Sequence, residues 1–206
     1  MLSAGSVTGL VLAGGRGSRM GGVDKGLQNF NGTALALNAL LRLQLQQGGW
    51  IGDAMINANR NLAAYEAFGV PVWPDSLDGY AGPLAGFLTG LERCETPYML
   101  TVPCDSPWFP LDLADRLVRA LQTDEADIAM VSAPESDGQL RPQPVFTLMS
   151  IDRLESLSAF IQSGGRKIDA WTDQQRTILV PFNTPADDPR AFFNVNTRED
   201  LRALET

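Results

Sequence analysis

The sequence contains no histidine, and this absence excludes several kinds of enzyme chemistry. Serine and cysteine nucleophiles activated by an imidazole are excluded, and so is zinc held by histidine. Carboxylates, cations and main-chain amides remain as the groups available for chemistry. Cysteine is also scarce: the chain has two, Cys94 and Cys104, without the spacing of a metal site or a C-x-x-C motif. So few cysteines suit a reducing compartment, and we expect a cytoplasmic protein.

Long apolar runs and an excess of positive charge are missing as well. No run reaches the roughly 18 to 20 apolar residues that a membrane span requires, and residues 1–6 lack the basic start of a signal peptide. Lysine and arginine number 16 against 24 aspartates and glutamates, giving a net charge of −8. This balance disfavours nucleic acid and anionic membranes as partners. An anionic ligand must therefore bind in a locally cationic pocket.

The remaining composition predicts an ordinary globular fold. With 206 residues, 44% hydrophobic and 19% charged, the chain suits one domain spanning residues 1–206. Apolar runs alternate with helical patterns, which predicts a three-layer α/β/α domain with a mostly parallel sheet. Strands are expected at 7–12, 54–57, 70–73, 98–102, 127–132, 145–149, 178–180 and 192–195. Helices are expected at 33–47, 61–68, 83–93, 111–122, 151–162 and 166–172, with Thr33 capping the first and Thr197 capping a last one.

A glycine-rich, cationic turn follows the first expected strand. The residues of interest in it are the glycines Gly14, Gly15 and Gly17 and the cations Arg19 and Lys25. Glycines let main-chain N–H groups approach a bulky anion closely, and the two cations offset much of the charge of a polyphosphate. The turn therefore predicts a cradle for a nucleoside triphosphate. It is neither a dinucleotide fingerprint, since Met20 stands where the third glycine belongs, nor a P-loop, since no Gly-Lys-Ser/Thr occurs.

Asp105 follows another apolar strand and is predicted to lie at the carboxyl edge of the sheet, where ligands bind in open α/β folds. A carboxylate there can hold Mg²⁺, which prefers oxygen ligands and bridges to phosphates. The alternative is a turn or helix-capping aspartate before Pro107. Because the same chain also contains the glycine-rich turn that predicts a triphosphate site, we favour Mg²⁺ binding by Asp105.

Further polar groups are expected at the same edge. The amide of Asn57 suits a base or ribose, and Asp75 could accept from a guanine amino group or a ribose hydroxyl, although both types commonly form turns. A second glycine-rich turn, residues 79–86, enters a helix whose start favours anions. Polar clusters at 141–144, 164–167 and 194–197 suit a second substrate, with Arg141 and Arg166 on its phosphate. Their alternative roles are solvated charges and helix caps.

The pattern L-A-G-G-x-x-x-R-M-G-x-x-K, from Leu12 to Lys25, resembles the signature of sugar-nucleotide-type nucleotidyltransferases. Its longer form, through G-G-V-D-K-G-L, resembles the molybdenum cofactor guanylyltransferases. Later motifs follow in the order of that family, and the resemblance covers nearly the whole chain. Two motifs depart from it: Gly32-Thr33-Ala34-Leu35 stands in place of Gly-Lys-Pro-Leu, and Arg141-Pro142-Gln143-Pro144 lacks the histidine of some relatives.

The resemblance implies a Rossmann-like nucleotidyltransferase fold and assigns roles to individual residues. It implies that GTP contacts Leu12, Ala13, Gly14, Lys25, Asn57, Asp75 and Asp105. It implies a catalytic set of Gly15, Arg19, Lys25 and Asp105, with Asp105 ligating Mg²⁺. It implies molybdopterin contacts at Gly82, Arg166, Asn194 and Asn196, with Gly22 serving catalysis or the pterin side.

The implied reaction transfers GMP from GTP to the phosphate of molybdenum-loaded molybdopterin and releases pyrophosphate. The amino-terminal half would bind GTP and the carboxyl-terminal half molybdopterin, with cofactor-assembly proteins and molybdoenzyme chaperones as partners. Two alternatives stay open: a related transferase using CTP or a sugar phosphate, and a GTP-binding module without catalysis. Relatives that use cytidine often carry Ala-Ala-Gly where this chain has Ala13-Gly14-Gly15, which favours guanine.

Overall fold

The computed structural model describes residues 2–13, 24–77, 82–135, 137–195, 197 and 200. The strands in these residues are β1 (Val7–Leu12), β2 (Asn29–Phe30), β3 (Thr33–Ala34), β4 (Ile51–Asn57), β5 (Val72–Trp73), β6 (Tyr98–Pro103), β7 (Ile128–Pro134), β8 (Leu140–Ser150) and β9 (Thr177–Pro181). Strands β2 and β3 pair as a hairpin. The others form one mixed sheet in the order β5-β4-β1-β6-β8-β7-β9, in which β8 runs antiparallel to its neighbours.

Helices cover both faces of this sheet. They are α1 (Leu35–Gln44), α2 (Leu62–Glu66), α3 (Pro83–Arg93), α4 (Leu113–Asp124), α5 (Leu154–Gln162) and α6 (Ile168–Thr172), with short 3₁₀ turns at Lys25–Leu27, Gln47–Gly49 and Ile151–Arg153. Apolar side chains of α1, α2 and α4 fill one core, and those of α3, α5 and α6 fill the other. None of the helices in the described ranges is long and apolar enough to cross a bilayer.

Strand β1 shows why the sequence folds into three layers. Its side chains alternate across the sheet, so that Val7 and Val11 enter the first core while Leu10 enters the second. All three are at most 1% exposed. A strand buried on both faces reads as a nearly continuous apolar run, as expected for a parallel sheet covered by helices. The predicted α/β/α architecture is therefore confirmed.

The register of the strands brings four loops to one edge. Leu12 pairs with Asn57 on one side and with Pro103 on the other, and Asn57 pairs with Trp73. The ends of β1, β4, β5 and β6 are therefore level, and the loops after them open side by side. We call this edge the carboxyl edge of the sheet.

The predicted start of the first helix was wrong. Thr33 lies in β3 rather than capping α1, which begins at Leu35 without a side-chain cap. The preceding hairpin turns at Asn31 and Gly32, whose φ angles are +50° and +84°. Asn-Gly is the sequence that a tight hairpin turn with two positive φ angles favours, so the signal was present in the sequence.

The strand predicted at residues 192–195 was also wrong. Phe192 packs edge-on against Phe146, with ring centroids 4.9 Å apart, and the segment takes no strand pairing. Phe192 and Val195 are thus apolar because they are buried, while Phe193 is exposed, and none of them belongs to a sheet. Thr197 does cap, since its Oγ1 accepts from the amide of Asp200 at 3.0 Å while the Asp200 carboxylate accepts from the amide of Thr197 at 2.8 Å.

Candidate active site

Lys25 and Asp105 meet at the carboxyl edge of the sheet. Asp105 lies just beyond the buried strand β6, and Lys25 begins a 3₁₀ turn. The Lys25 Nζ lies 2.6 Å from the Asp105 Oδ2, and the two side chains are 20% and 21% exposed. The two residues are 80 positions apart in the sequence, so only the folded chain brings them into contact. The pair places a cation and a carboxylate together where solvent still reaches both.

At the same edge, two asparagines at and just after the end of β4 hold the carboxylate of Asp75, which follows β5. The Nδ2 of Asn57 donates to the Asp75 Oδ1 at 2.9 Å and to the Trp73 carbonyl at 3.1 Å. The Nδ2 of Asn59 donates to the Asp75 Oδ2 at 2.8 Å, and the Asp75 amide donates back to Asn59 at 2.8 Å. The carboxylate is therefore fixed in orientation and keeps lone pairs for a ligand that donates hydrogen bonds. Asn59 belongs to the predicted Asn57–Arg60 motif, but its role of orienting Asp75 was not foreseen.

Helix α3 approaches this edge through its glycines. A Cβ on Gly86 would lie 2.6 Å from the Asn57 Oδ1 and 2.6 Å from the Leu12 Cδ2. The first turns of α3 therefore pack directly on the ends of β1 and β4. Gly82, whose φ is +143°, precedes Pro83 at the start of the helix. The structure thus brings Gly82 to the side of the molecule where Leu12 and Asn57 lie.

Asn194 also joins the site. The Ser106 Oγ donates to the Asn194 Oδ1 at 2.7 Å, and the amide of Val195 donates to the Asp105 carbonyl at 2.8 Å. These bonds hold the segment from Asn194 to Val195 against the loop that carries Asp105. A groove of about 490 Å³ begins here, and its lining residues are Pro134, Glu135, Gln143, Pro189, Arg190, Phe192, Phe193 and Asn194. Sequence reasoning had singled out Gln143 and Asn194 among them.

The two arginines expected on a second phosphate have different surroundings. Arg141 forms ion pairs with Glu135 at 2.8 Å and Asp137 at 2.6 Å, across the turn between β7 and β8. The structure therefore gives Arg141 the role of closing its own hairpin. Arg166 is exposed between α5 and α6. Helix α5 begins near the amino edge of the sheet, where the Ile151 amide donates to the Pro97 carbonyl. The connection that carries Arg166 follows the other end of α5, the end away from that edge.

The remaining predicted residues divide into placed and undescribed ones. Ala13 is 6% exposed, and its amide donates to the Asn57 carbonyl at 2.8 Å, so it closes the end of β1. Six predicted site residues lie outside the described residues: Gly14, Gly15, Gly17, Arg19, Gly22 and Asn196. Cys104 is buried, and burial raises the pKa of its thiol, in agreement with a small core residue rather than a nucleophile.

Sequence reasoning missed the environment of Asp24. Its carboxylate accepts from the hydroxyl of Tyr65 at 2.6 Å, a contact across 41 residues of sequence. Burial, reinforced by this hydrogen bond, raises the pKa of Tyr65 above its usual value. Tyr65 reads in the sequence as one apolar position of a short helix, and nothing local indicates a polar partner.

The donor set at the carboxyl edge suits a metal that takes few protein ligands. Within the described ranges, no group of three or more Cys, Asp or Glu side chains is placed to hold an ion. Mg²⁺ is commonly bound by one or two carboxylates together with substrate phosphates and water, so a single Asp105 fits that chemistry. A cage-like calcium or structural zinc site would require more protein ligands.

A level carboxyl edge with a lysine–aspartate pair and an oriented acceptor lies where open α/β proteins bind their ligands. Comparison with known proteins narrows this class. The family model of the MobA-like NTP transferase domain matches residues 9–178. The molybdenum cofactor guanylyltransferase of Albidiferax ferrireducens is 65% identical over 209 residues, covering 100% of this chain and 98% of that protein. The chain belongs to the MobA-like NTP transferase family and is a nucleotidyltransferase.

Solved structures support the fold. Molybdopterin-guanine dinucleotide biosynthesis protein A from Archaeoglobus fulgidus matches with a TM-score of 0.75 at 20% identity, over 96% of each chain. The 4-diphosphocytidyl-2C-methyl-D-erythritol synthase of Anaerococcus prevotii matches with a TM-score of 0.72 at 10% identity, over 97% of this chain and 94% of that one. The fold is therefore shared by proteins of different nucleotide chemistry, so it does not by itself select the base.

Proposed function

We propose that the protein transfers GMP from GTP to the terminal phosphate of molybdopterin that already carries its metal, giving the guanine dinucleotide form of the cofactor. The observation that carries the proposal is that the Lys25–Asp105 pair and the oriented Asp75 lie at the same edge of the sheet, after β6 and β5. The 65% identity over the full chain to a molybdenum cofactor guanylyltransferase supports the same reaction. GTP and molybdopterin are its two substrates.

The amino-terminal half supplies the GTP site. Asp75 offers only acceptors, which matches the N–H donors on the Watson–Crick edge of guanine and does not match the acceptor N1 of adenine. Asn57 fixes this carboxylate from the end of β4. The triphosphate would lie against Lys25 and the end of β1 at Leu12 and Ala13, with the main-chain amides after Ala13 and the residues Gly14, Gly15 and Arg19 completing the cradle as the sequence motif implies.

The reaction needs no strong base. An oxygen of the molybdopterin phosphate forms a bond to the α-phosphorus of GTP, the bond from that phosphorus to the bridging oxygen breaks, and pyrophosphate leaves with the electron pair. A phosphate is already ionised near neutral pH, which is consistent with a chain that lacks histidine. Lys25 stabilises the negative charge that develops on the phosphate oxygens, because its cation is held in place before the reaction.

Asp105 would hold Mg²⁺, which supplies charge neutralisation to the phosphates when bound. In the structure the Asp105 carboxylate contacts Lys25 instead, so one group balances the charge of the other. The acceptor substrate would occupy the carboxyl-terminal half, with Asn194 at the mouth of the groove and Gly82, Arg166 and Asn196 as further contacts implied by the family motifs. Cofactor-assembly proteins and molybdoenzyme chaperones would deliver and receive the cofactor in the cytoplasm.

The base preference is tested by nucleotide-dependent thermal stabilisation. A ligand at 100 times its Kd stabilises the native state by about 2.7 kcal/mol, so Mg·GTP should raise the unfolding temperature clearly above that with Mg·CTP or Mg·ATP at equal concentration. An equal or larger rise with Mg·CTP would favour the cytidine-using alternative. Release of pyrophosphate from GTP only when molybdopterin is added would separate an enzyme from a module that binds GTP without catalysis.

A further inference from the structure

Asp24 stands directly before Lys25, and both oxygens of its carboxylate accept hydrogen bonds. The Oδ1 accepts from the Tyr65 hydroxyl at 2.6 Å and from the Gly26 amide at 3.2 Å. The Oδ2 accepts from the Nδ2 of Asn61 at 2.9 Å. These donors come from the 3₁₀ turn of Lys25, from the N-cap of α2 at Asn61 and from Tyr65 within α2, so Asp24 joins two separate elements.

The partners of Asp24 are themselves held firmly. Tyr65 is 0% exposed, and its raised pKa keeps the hydroxyl protonated as a donor. Its ring packs edge-on against Phe68, with centroids 5.8 Å apart. A Cβ on Gly26 would lie 2.5 Å from the Tyr65 Oη, so glycine at this position is what lets the hydroxyl reach Asp24. Asn61 adopts a φ of +51°, which asparagine tolerates better than most residues.

We propose that Asp24, Tyr65 and Asn61 form a latch that positions Lys25 for catalysis, and this inference rests on the proposed function. A lysine side chain is flexible, with four rotatable bonds, so its ammonium keeps a defined position only if the backbone that carries it is also fixed. The latch fixes the backbone at Asp24, one residue before Lys25, while the Lys25 Nζ contacts the Asp105 carboxylate. With both oxygens facing donors, Asp24 is a positioning residue, distinct from the carboxylate that would bind metal.

The latch can be tested without any substrate by measuring how accessible the Lys25 ammonium is. The chain has two lysines, Lys25 and Lys167, so Lys167 serves as the internal reference. Trace acetylation of the protein, followed by peptide mass spectrometry, gives the labelling ratio of Lys25 to exposed Lys167. We expect Tyr65→Phe to raise this ratio by about threefold or more, because an ammonium released from Asp105 becomes accessible. Tyr98→Phe, a matched change at the start of β6, should leave the ratio unchanged. An unchanged ratio in Tyr65→Phe would overturn the proposal.

A charge swap tests the link to catalysis. In Asp24→Asn, whichever way the new amide turns, its NH₂ faces a donor, either Asn61 Nδ2 or the Gly26 amide. We expect kcat to fall about tenfold while KM for GTP changes less than about twofold, because the loss falls on the transition state. Adding Asn61→Asp restores a donor–acceptor pair and should recover most of kcat. Asp24→Asn alone must remain folded, which thermal unfolding reports.

A double-mutant cycle separates positioning from a general structural effect. If Asp24 acts through Lys25, then Asp24→Asn in a Lys25→Ala background should cost no further kcat. A full tenfold additional loss in that background would contradict the latch. If the wild-type chain transfers no GMP, the proposed function fails, whereas the acetylation ratio still decides whether the latch exists.

Discussion

Gly86 illustrates how one missing Cβ positions a group of the proposed GTP site. The residue lies in the first turns of α3, and its bare Cα lets the helix pack on Leu12 and Asn57. Asn57 in turn orients Asp75 through a 2.9 Å hydrogen bond. A methyl group at Gly86 would push against the Asn57 amide oxygen, and the disturbance would pass to the Asp75 carboxylate.

Gly86→Ala is therefore expected to weaken binding of Mg·GTP by about tenfold or more. Gly90→Ala, in the same helix, is the matched control, since its Cβ would meet Leu10 and Met99 side chains rather than the site. Both variants should lose about 1–3 kcal/mol in free energy of unfolding, because both overpack α3. Urea unfolding and calorimetric titration with Mg·GTP measure the two effects. Equal affinity losses in the two variants would argue against a role for Gly86 in the site.

The sequence predicts those site residues that directly follow an apolar strand or belong to a known motif. Asp75 and Asp105 follow apolar strands, and parallel strands bring such residues to one edge, so their placement at that edge could be predicted. Lys25 belonged to a recognisable motif. The bond between Asp24 and Tyr65 could not be predicted in the same way, because it depends on the side-chain direction of a buried tyrosine 41 residues away.

At the level of elements, the starts of β7 and β9 are joined by a charge pair. Arg176 donates to both carboxylate oxygens of Asp127, with distances of 3.0 and 2.9 Å. The Arg153 Nη1 lies 3.6 Å from the same carboxylate. The hydrogen bonds from Arg176 hold the pKa of Asp127 below its usual value. The pair connects the edge strand β9 to the rest of the sheet.

The contribution of this pair should depend on pH. A carboxylate whose pKa is lowered by folding stabilises the native state above its unfolded pKa of about 3.9, and the contribution is lost as pH falls through the lower folded value. The difference in free energy of unfolding between wild type and Asp127→Asn should therefore narrow from about pH 6 to about pH 3. Asp173→Asn, a change at an exposed carboxylate, serves as the control. A difference that stays constant over this range would contradict the role assigned to Asp127.

Most elements could be predicted because the chain alternates apolar strands with amphipathic helices. Helix α3 was predicted with its observed ends, since Pro83 marks the first turn. The helix expected to begin at Thr33 begins at Leu35, because Asn31 and Gly32 adopt positive φ angles and Thr33 pairs in the hairpin that they form. The apolar run at residues 192–195 did not form the predicted strand, since Phe192 is buried against other aromatic rings and the Val195 amide donates to the Asp105 carbonyl rather than to a neighbouring strand.

On the scale of the whole molecule, the chain carries a net charge of −8, and the proposed site has to bind two anionic substrates. Binding therefore depends on local cations, and Lys25 is one of the two lysines of the chain. The three-layer fold concentrates the available groups by ending four strands at the same level. Loops after β1, β4, β5 and β6 can thus share one ligand although they are distant in sequence.

The central claim is that this edge transfers the α-phosphoryl group of GTP, with its nucleoside, to molybdopterin. Incubating the enzyme, Mg²⁺ and metal-loaded molybdopterin with GTP labelled at either the α- or the γ-phosphorus tests it most directly. The account predicts that the α label appears in the molybdopterin product and that the γ label appears in pyrophosphate. Transfer of the γ label to the pterin, or retention of both labels in GTP, would contradict it.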